Sequence, residues 1–140
     1  MMIVGGVKRI VAVDDSNVVL KMLQNVLKKE QYDLHSFTSG KRALAYLAQK
    51  DKKPDLIILD IEMPEMNGYE VLKRIKEMEH LKNVHVIFLT ANNEKKQVIK
   101  AVTGGIRDYV IKPIDEDVLM KKINSLLRNQ PADGTEGDEA

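Results

Sequence analysis

The stretch Asp55-Leu56-Ile57-Ile58-Leu59-Asp60 sets four consecutive apolar residues between two carboxylates. A strand with one wet face alternates apolar and polar side chains. This one does not, and a short continuous apolar run suits a strand buried on both faces, as in a parallel sheet. Working outward, Arg9-Ile10-Val11-Ala12-Val13, Val84-His85-Val86-Ile87-Phe88-Leu89 and Asp108-Tyr109-Val110-Ile111 read the same way, and Leu34 to Phe37 is a weaker, more polar member.

Between these runs the period changes to that of a helix. Val18, Val19, Met22, Leu23, Val26 and Leu27 fall on one stripe. Ala43, Leu44, Leu47 and Ala48 form a second, after Ser39 as N-cap. Val71, Leu72 and Ile75 follow Gly68, with Lys73, Arg74 and Lys76 toward water. Val98, Ile99, Ala101 and Val102 form a fourth helical stretch. Val118, Leu119, Ile123, Leu126 and Leu127 form a fifth, opened by Asp115-Glu116-Asp117, which suit a helix dipole. Strict alternation of strand and helix implies an α/β fold, a parallel sheet with helices on both faces. The expected organisation is an extension over residues 1–7, one domain over 8–128 and a disordered acidic tail over 129–140.

Bulk properties narrow the function. The 140 residues fit one domain with a core of its own. There are no cysteines, which removes disulfides and thiolate metal sites. The net charge of +1 gives no electrostatic footprint for nucleic acid. No apolar run reaches the ~20 residues of a membrane span, and Met1 to Gly6 lacks the pattern of a signal peptide. The expected setting is therefore the cytoplasm, with neither nucleic acid nor membrane as direct partner. His35, His80 and His85 are scattered without companion ligands. Lys50 to Lys53 and Lys95-Lys96 read as solvated, and the methionines beyond the start, among them Met22, Met63 and Met120, as gap-filling core or loop.

Ligands of open α/β sheets bind beyond the carboxyl ends of the strands. The first run ends in Asp14-Asp15, the third in Asp60, the fourth in Thr90-Ala91 and the fifth in Lys112-Pro113. Each has an ordinary structural explanation alone: a cap, a turn former, a strand hydroxyl, a loop lysine. Together they bring three carboxylates, one hydroxyl and one ammonium to one edge of the sheet. Clustered carboxylates resist ionisation unless a cation joins them. A hard divalent ion such as Mg2+ fits that donor set. Phosphoryl transfer needs positioning and charge neutralisation above all, and a central Asp60 could serve as nucleophile.

The segments Ile10 to Ser16 (IVAVDDS), Leu56 to Gly68 (LIILDIEMPEMNG), Val86 to Ala91 (VIFLTA) and Asp108 to Pro113 (DYVIKP) resemble the signature segments of response-regulator receiver domains of two-component signalling. The resemblance spans roughly residues 8 to 128 and implies a flavodoxin-like (βα)5 fold with strand order 2-1-3-4-5. It implies that Asp60 is the phosphoacceptor, fed by a histidine kinase or phosphotransfer protein. Asp15 would be a direct Mg2+ ligand and Asp14 a partly water-mediated one. Asp60 and the backbone carbonyl of Glu62 would complete the protein's ligands. Thr90 and Lys112 would contact the phosphoryl group, with Thr90 and Tyr109 as the switch pair. A cis peptide before Pro113 would aim Lys112 inward. The effector surface would be the face of the fourth helix, fifth strand and fifth helix, which also leaves a homodimer open. Such a protein is a signalling phosphoacceptor that contributes to its own phosphorylation and dephosphorylation, rather than an enzyme acting on a separate substrate.

Three departures stand out. Thr103-Gly104-Gly105 replaces the family's common Ala-Gly-Ala, and Glu62 and Asn92 flank the acceptor, where they bear on its phosphoryl lifetime. Met63-Pro64 and Asn67-Gly68 punctuate the loop after Asp60 as a turn before a helix, with glycine supplying an unusual backbone angle. Two other functional classes remain in view: a receiver-fold interaction module indifferent to phosphate, and an aspartyl-phosphate hydrolase. The module has no need of the acidic set and Lys112. The hydrolase places its nucleophile after the first strand with an acid-base Asp two residues on, whereas Asp14-Asp15 are followed by Ser16-Asn17. A dinucleotide site lacks its Gly-rich turn.

Overall fold

The computed structural model describes residues 6–91 and 109–128. The fourth helical stretch, Asn92, Lys95-Lys96, Thr103-Gly104-Gly105, Asp108 and the 129–140 tail lie outside the described residues.

Five strands, β1 (Arg9–Val13), β2 (Asp33–Phe37), β3 (Leu56–Asp60), β4 (His85–Thr90) and β5 (Tyr109–Ile111), form one sheet in the order β2-β1-β3-β4-β5. Every pairing is parallel. Order and direction agree with the expectation. β3 is buried at all five positions, as its unbroken apolar run requires. β2 stands at the edge, and its more polar composition matches a half-wet position.

Successive strand residues point to opposite faces, so the sheet feeds two cores. Val11, Val13, Ile57, Leu59, Val86 and Phe88 join Ala43 and Leu47 of α2 (Gly40–Leu47) with Val71 and Ile75 of α3 (Gly68–Lys76). Ile10, Ala12, Leu56, Ile58, Ile87 and Leu89 join Leu20, Leu23 and Leu27 of α1 (Asn17–Lys29) with Leu119 and Ile123 of α4 (Glu116–Leu127). The helix α4 is the fifth expected helical stretch. Each fully buried Ile or Leu contributes about 1.5–3 kcal/mol.

The helix starts are capped. Ser16 accepts from the Val19 amide and Ser39 from the Arg42 amide. Asn67 and Glu70 make a reciprocal capping box, and Asp115 accepts from the amides of Asp117 and Val118. Three helical stripes need correction. Val18 is 80% exposed, and Leu20 takes its place in the buried seam of α1. Leu20, Leu23 and Leu27 keep the i, i+3, i+7 spacing of one face, while Val18 lies off it. Val118 is 45% exposed in the first turn of α4, and Ala48, the C-cap of α2, is exposed too.

Candidate functional site

The site grows from the ends of β1, β3, β4 and β5. Asp60 is the last residue of β3 and lies buried, since β1 and β4 flank its strand. Asp14 follows β1 and is fully buried. Its amide donates to the Phe37 carbonyl (3.1 Å), and its Oδ1 accepts from the Ser16 amide (2.9 Å). That local turn holds one oxygen of Asp14 and aims the other inward. Asp15, next along, is exposed at the rim. One carboxylate oxygen from each of Asp14, Asp15 and Asp60 lies within 4.8 Å of the others.

Lys112 closes the group from β5. Its amide donates to the Thr90 carbonyl (2.7 Å), which ties the end of β5 to the end of β4. The Lys112–Pro113 peptide is cis. The Lys112 Nζ sits 2.9 Å from Asp14 Oδ2 and 3.1 Å from Asp60 Oδ1. Both oxygens are buried, and these are ion pairs at short range rather than well-angled hydrogen bonds. No other donor meets either oxygen among the described residues.

The electrostatics follow from burial and like charge. Desolvation, reinforced by the neighbouring Asp14 carboxylate, pushes Asp60 up to about 7; Lys112 pulls back only in part, and Asp15 adds to the push. Burial works against the charge of Lys112, but its contacts with Asp14 and Asp60 outweigh it and hold the ammonium above the ordinary lysine value. Two buried carboxylate oxygens, met only by the Lys112 ammonium among the described residues, stand beside a third, exposed carboxylate; the three are the donor set of an acidic cluster able to bind a metal ion.

Thr90, fully buried at the end of β4, contacts the Glu62 carboxylate through its hydroxyl, a long 3.5 Å. Tyr109 is half-buried on β5, in register with Phe88 and packed on the α2–α3 core. The loop after Asp60 departs from its expected geometry. The left-handed residue is Glu65, with φ of 65°, not a glycine. Gly68 has a different reason to be there. A Cβ on it would collide with the carbonyl oxygen of Asp60 and stand 2.9 Å from the Ile61 Cα. The Gly68 amide donates to the Ile61 carbonyl (2.9 Å), so the start of α3 rests directly on the backbone that carries Asp60.

Asp14, Asp15, Asp60 and Lys112 are therefore gathered, with Thr90 at the adjoining strand end. The sequence reading did not find the Thr90 contact of the Glu62 side chain, the seating of Gly68 or the Ser16 amide bond. Only the last had a local signal, the Asp-Asp-Ser string. Comparison with known proteins then decides the family: the profile of the response regulator receiver domain matches residues 10–124. The chain belongs to the response-regulator receiver family. The two-component response regulator ORR5 of Oryza sativa subsp. japonica is 33% identical over 124 residues, covering 89% of this chain and 92% of the relative. Two-component response regulator ARR12 of Arabidopsis thaliana is 37% identical over 123 residues, 87% of this chain but 20% of that longer protein. The solved structure of chemotaxis response regulator CheY4 of Vibrio cholerae superposes with a TM-score of 0.78 at 31% identity, covering 87% of this chain and all of that one. The receiver domain is thus a signalling module of two-component systems, whose members interact with histidine kinases and effectors. No helix among its described residues is long and apolar enough to cross a membrane.

Proposed function

We propose that Asp60 of this receiver domain accepts a phosphoryl group from the phosphohistidine of a sensor kinase or phosphotransfer protein, in a Mg2+-dependent step. The observation that carries the reading is the convergence of Asp14, Asp15 and Asp60 with Lys112 between the two buried members. An Asp60 oxygen attacks phosphorus, the P–N bond breaks, and the imidazole of the donor leaves with the electron pair. Mg2+, held by Asp15, Asp60, the Glu62 carbonyl and in part by Asp14 through water, would neutralise phosphoryl oxygens. Lys112 turns its ammonium to another phosphoryl oxygen, which the short ion pair with Asp60 already prepares. Thr90 donates its hydroxyl to a third.

The new charge biases two arrangements of one surface. As Thr90 moves toward the phosphoryl group, Tyr109 takes up the vacated space. The face around β5, α4 and the fourth helical stretch then changes its preference among effectors. Hydrolysis of the acyl phosphate, aided by the same residues, resets the switch. The functional unit in this reading is residues 8–128, working in the cytoplasm.

Intact mass after exposure to acetyl phosphate and Mg2+ tests the site. Wild type should gain one phosphoryl group and Asp60→Asn none. Equal gain in both removes Asp60 from the role.

A further inference from the structure

A cleft of about 550 Å3 opens between α1 and the carboxyl end of β2, and none of the residues lining it belongs to the acidic cluster. Its apolar part is Leu20, a member of the core under α1, and Phe37, whose ring packs on Tyr46 with centroids 5.0 Å apart. Its charged groups are Lys21 and Arg42, and no carboxylate lines it among the described residues. Two further clefts differ in this respect. The one along α3 carries Glu70 and Glu77, and the one between α2 and the loop after Asp60 carries Glu65.

Neither the Lys21 ammonium nor the Arg42 guanidinium has an ion pair or hydrogen bond among the described residues. The side-chain amides of Gln24 and Asn25, in the same cleft, are equally unengaged there. Water ordinarily serves exposed polar groups, so exposure alone carries no weight. The arrangement does. A cleft lined by one sign of charge over low-dielectric walls concentrates ions of the other sign. Arginine offers phosphate a planar fork, and lysine adds a point charge. Amides both donate and accept, which suits uncharged polar groups. The volume falls in the range of small-molecule sites, about 300–1,000 Å3, and a bare phosphate fills only a small part of it. The frame is set beforehand. Ser39 Oγ accepts from the Arg42 amide (3.2 Å), and the Phe37 carbonyl accepts from the Asp14 amide (3.1 Å).

We propose that this cleft binds a small phosphate ester, a nucleotide or a sugar phosphate, with its phosphate held by Lys21 and Arg42 and its uncharged polar part against Gln24 and Asn25. The site is separate from Asp60. It needs no divalent cation and no transfer of a phosphoryl group to the protein.

The test is an NMR titration of the full chain carrying Asp60→Asn, without divalent cation, so that the acidic cluster takes no part. The probes are adenosine monophosphate, a ribose phosphate and inorganic phosphate. At least one ester should shift the side-chain amide signals of Gln24 and Asn25 and saturate with a Kd below about 1 mM. Lys21→Gln and Arg42→Gln should each weaken that ester about tenfold, as expected for a hydrogen bond to a charged group. Both side chains are exposed, so the fold stays intact. Lys50→Gln, at an exposed lysine outside the cleft, should leave the affinity unchanged. Tighter binding of adenosine monophosphate than of the ribose phosphate assigns a nucleotide, and equal binding assigns a sugar phosphate. Inorganic phosphate binding as tightly as the esters means an adventitious ion only and overturns the proposal. So does ester binding that survives both substitutions, or the absence of a saturable shift with either ester.

Discussion

Asp60 is buried between a carboxylate that repels it and an ammonium that only partly compensates. Below the ordinary carboxylate range it is protonated in the folded and the unfolded chain alike, and costs nothing. Between that range and about 7 the unfolded chain releases the proton while the folded one keeps it. The unfolded state then binds fewer protons, so the stability of metal-free protein falls as pH rises through this window. Above it the penalty is complete, on the order of a few kcal/mol. Asp60→Asn should therefore raise the melting temperature at pH ~8 without divalent cation, and the gain should vanish near pH ~4. Mg2+ should raise the wild-type melting temperature and leave that of Asp60→Asn nearly unmoved. Lys112→Ala exposes the other side of the balance: it removes the ammonium that partners both buried carboxylates and should cost about 3–5 kcal/mol at neutral pH in urea unfolding. The residues of this balance were legible in the sequence because each is the polar residue that ends an apolar run. The Glu62–Thr90 contact was not, since it joins positions 28 apart through the path of a loop. Nor was the buried hydroxyl of Tyr69, which has no hydrogen-bond partner among the described residues and depends on how a ring packs rather than on residue type.

At the scale of elements, α3 is seated by contact rather than by a flexible turn. Gly68 lies where any side chain meets the Asp60 carbonyl and the Ile61 backbone. Gly68→Ala must push α3 away or tilt the end of β3 that carries Asp60. Overpacking of this kind costs about 1–3 kcal/mol, and here it should also weaken Mg2+ binding, which titration by NMR or fluorescence would show. A loss of stability with unchanged Mg2+ affinity would mean that α3 yields and the carboxylates do not. The sequence marked this loop correctly as a turn into a helix but assigned the unusual backbone angle to glycine. Composition could not separate a glycine needed for φ from one needed for space. The true left-handed residue is Glu65, a type that carries no such signal. In the same way periodicity placed α1 correctly and misjudged Val18, because a six-residue stripe is wider than the seam the sheet can cover.

For the whole molecule, the sheet divides its side chains between two cores that share every strand. Leu59 belongs to the α2–α3 side and its neighbour Ile58 to the α1–α4 side. Leu59→Ala and Ile58→Ala should each cost about 2–5 kcal/mol. Each should still give one coincident transition by circular dichroism and fluorescence, since neither core can open without breaking β3. The layered α/β architecture was readable almost completely, because runs buried on both faces admit few other arrangements. Polarity is the lasting consequence of all strands pointing the same way. Every candidate site group sits at the carboxyl ends. At the amino ends Arg9, Asp33 and Asp55 form a separate charged knot, with the Arg9 amide on Asp55 (2.8 Å) and the Arg9 guanidinium 3.7 Å from Asp33. Five residue steps along a strand, as from Asp55 to Asp60, separate the two rims, roughly 16 Å. A fluorophore, affinity handle or surface tether belongs on that lower rim, where it can report on the domain or immobilise it while leaving the upper rim open to a kinase.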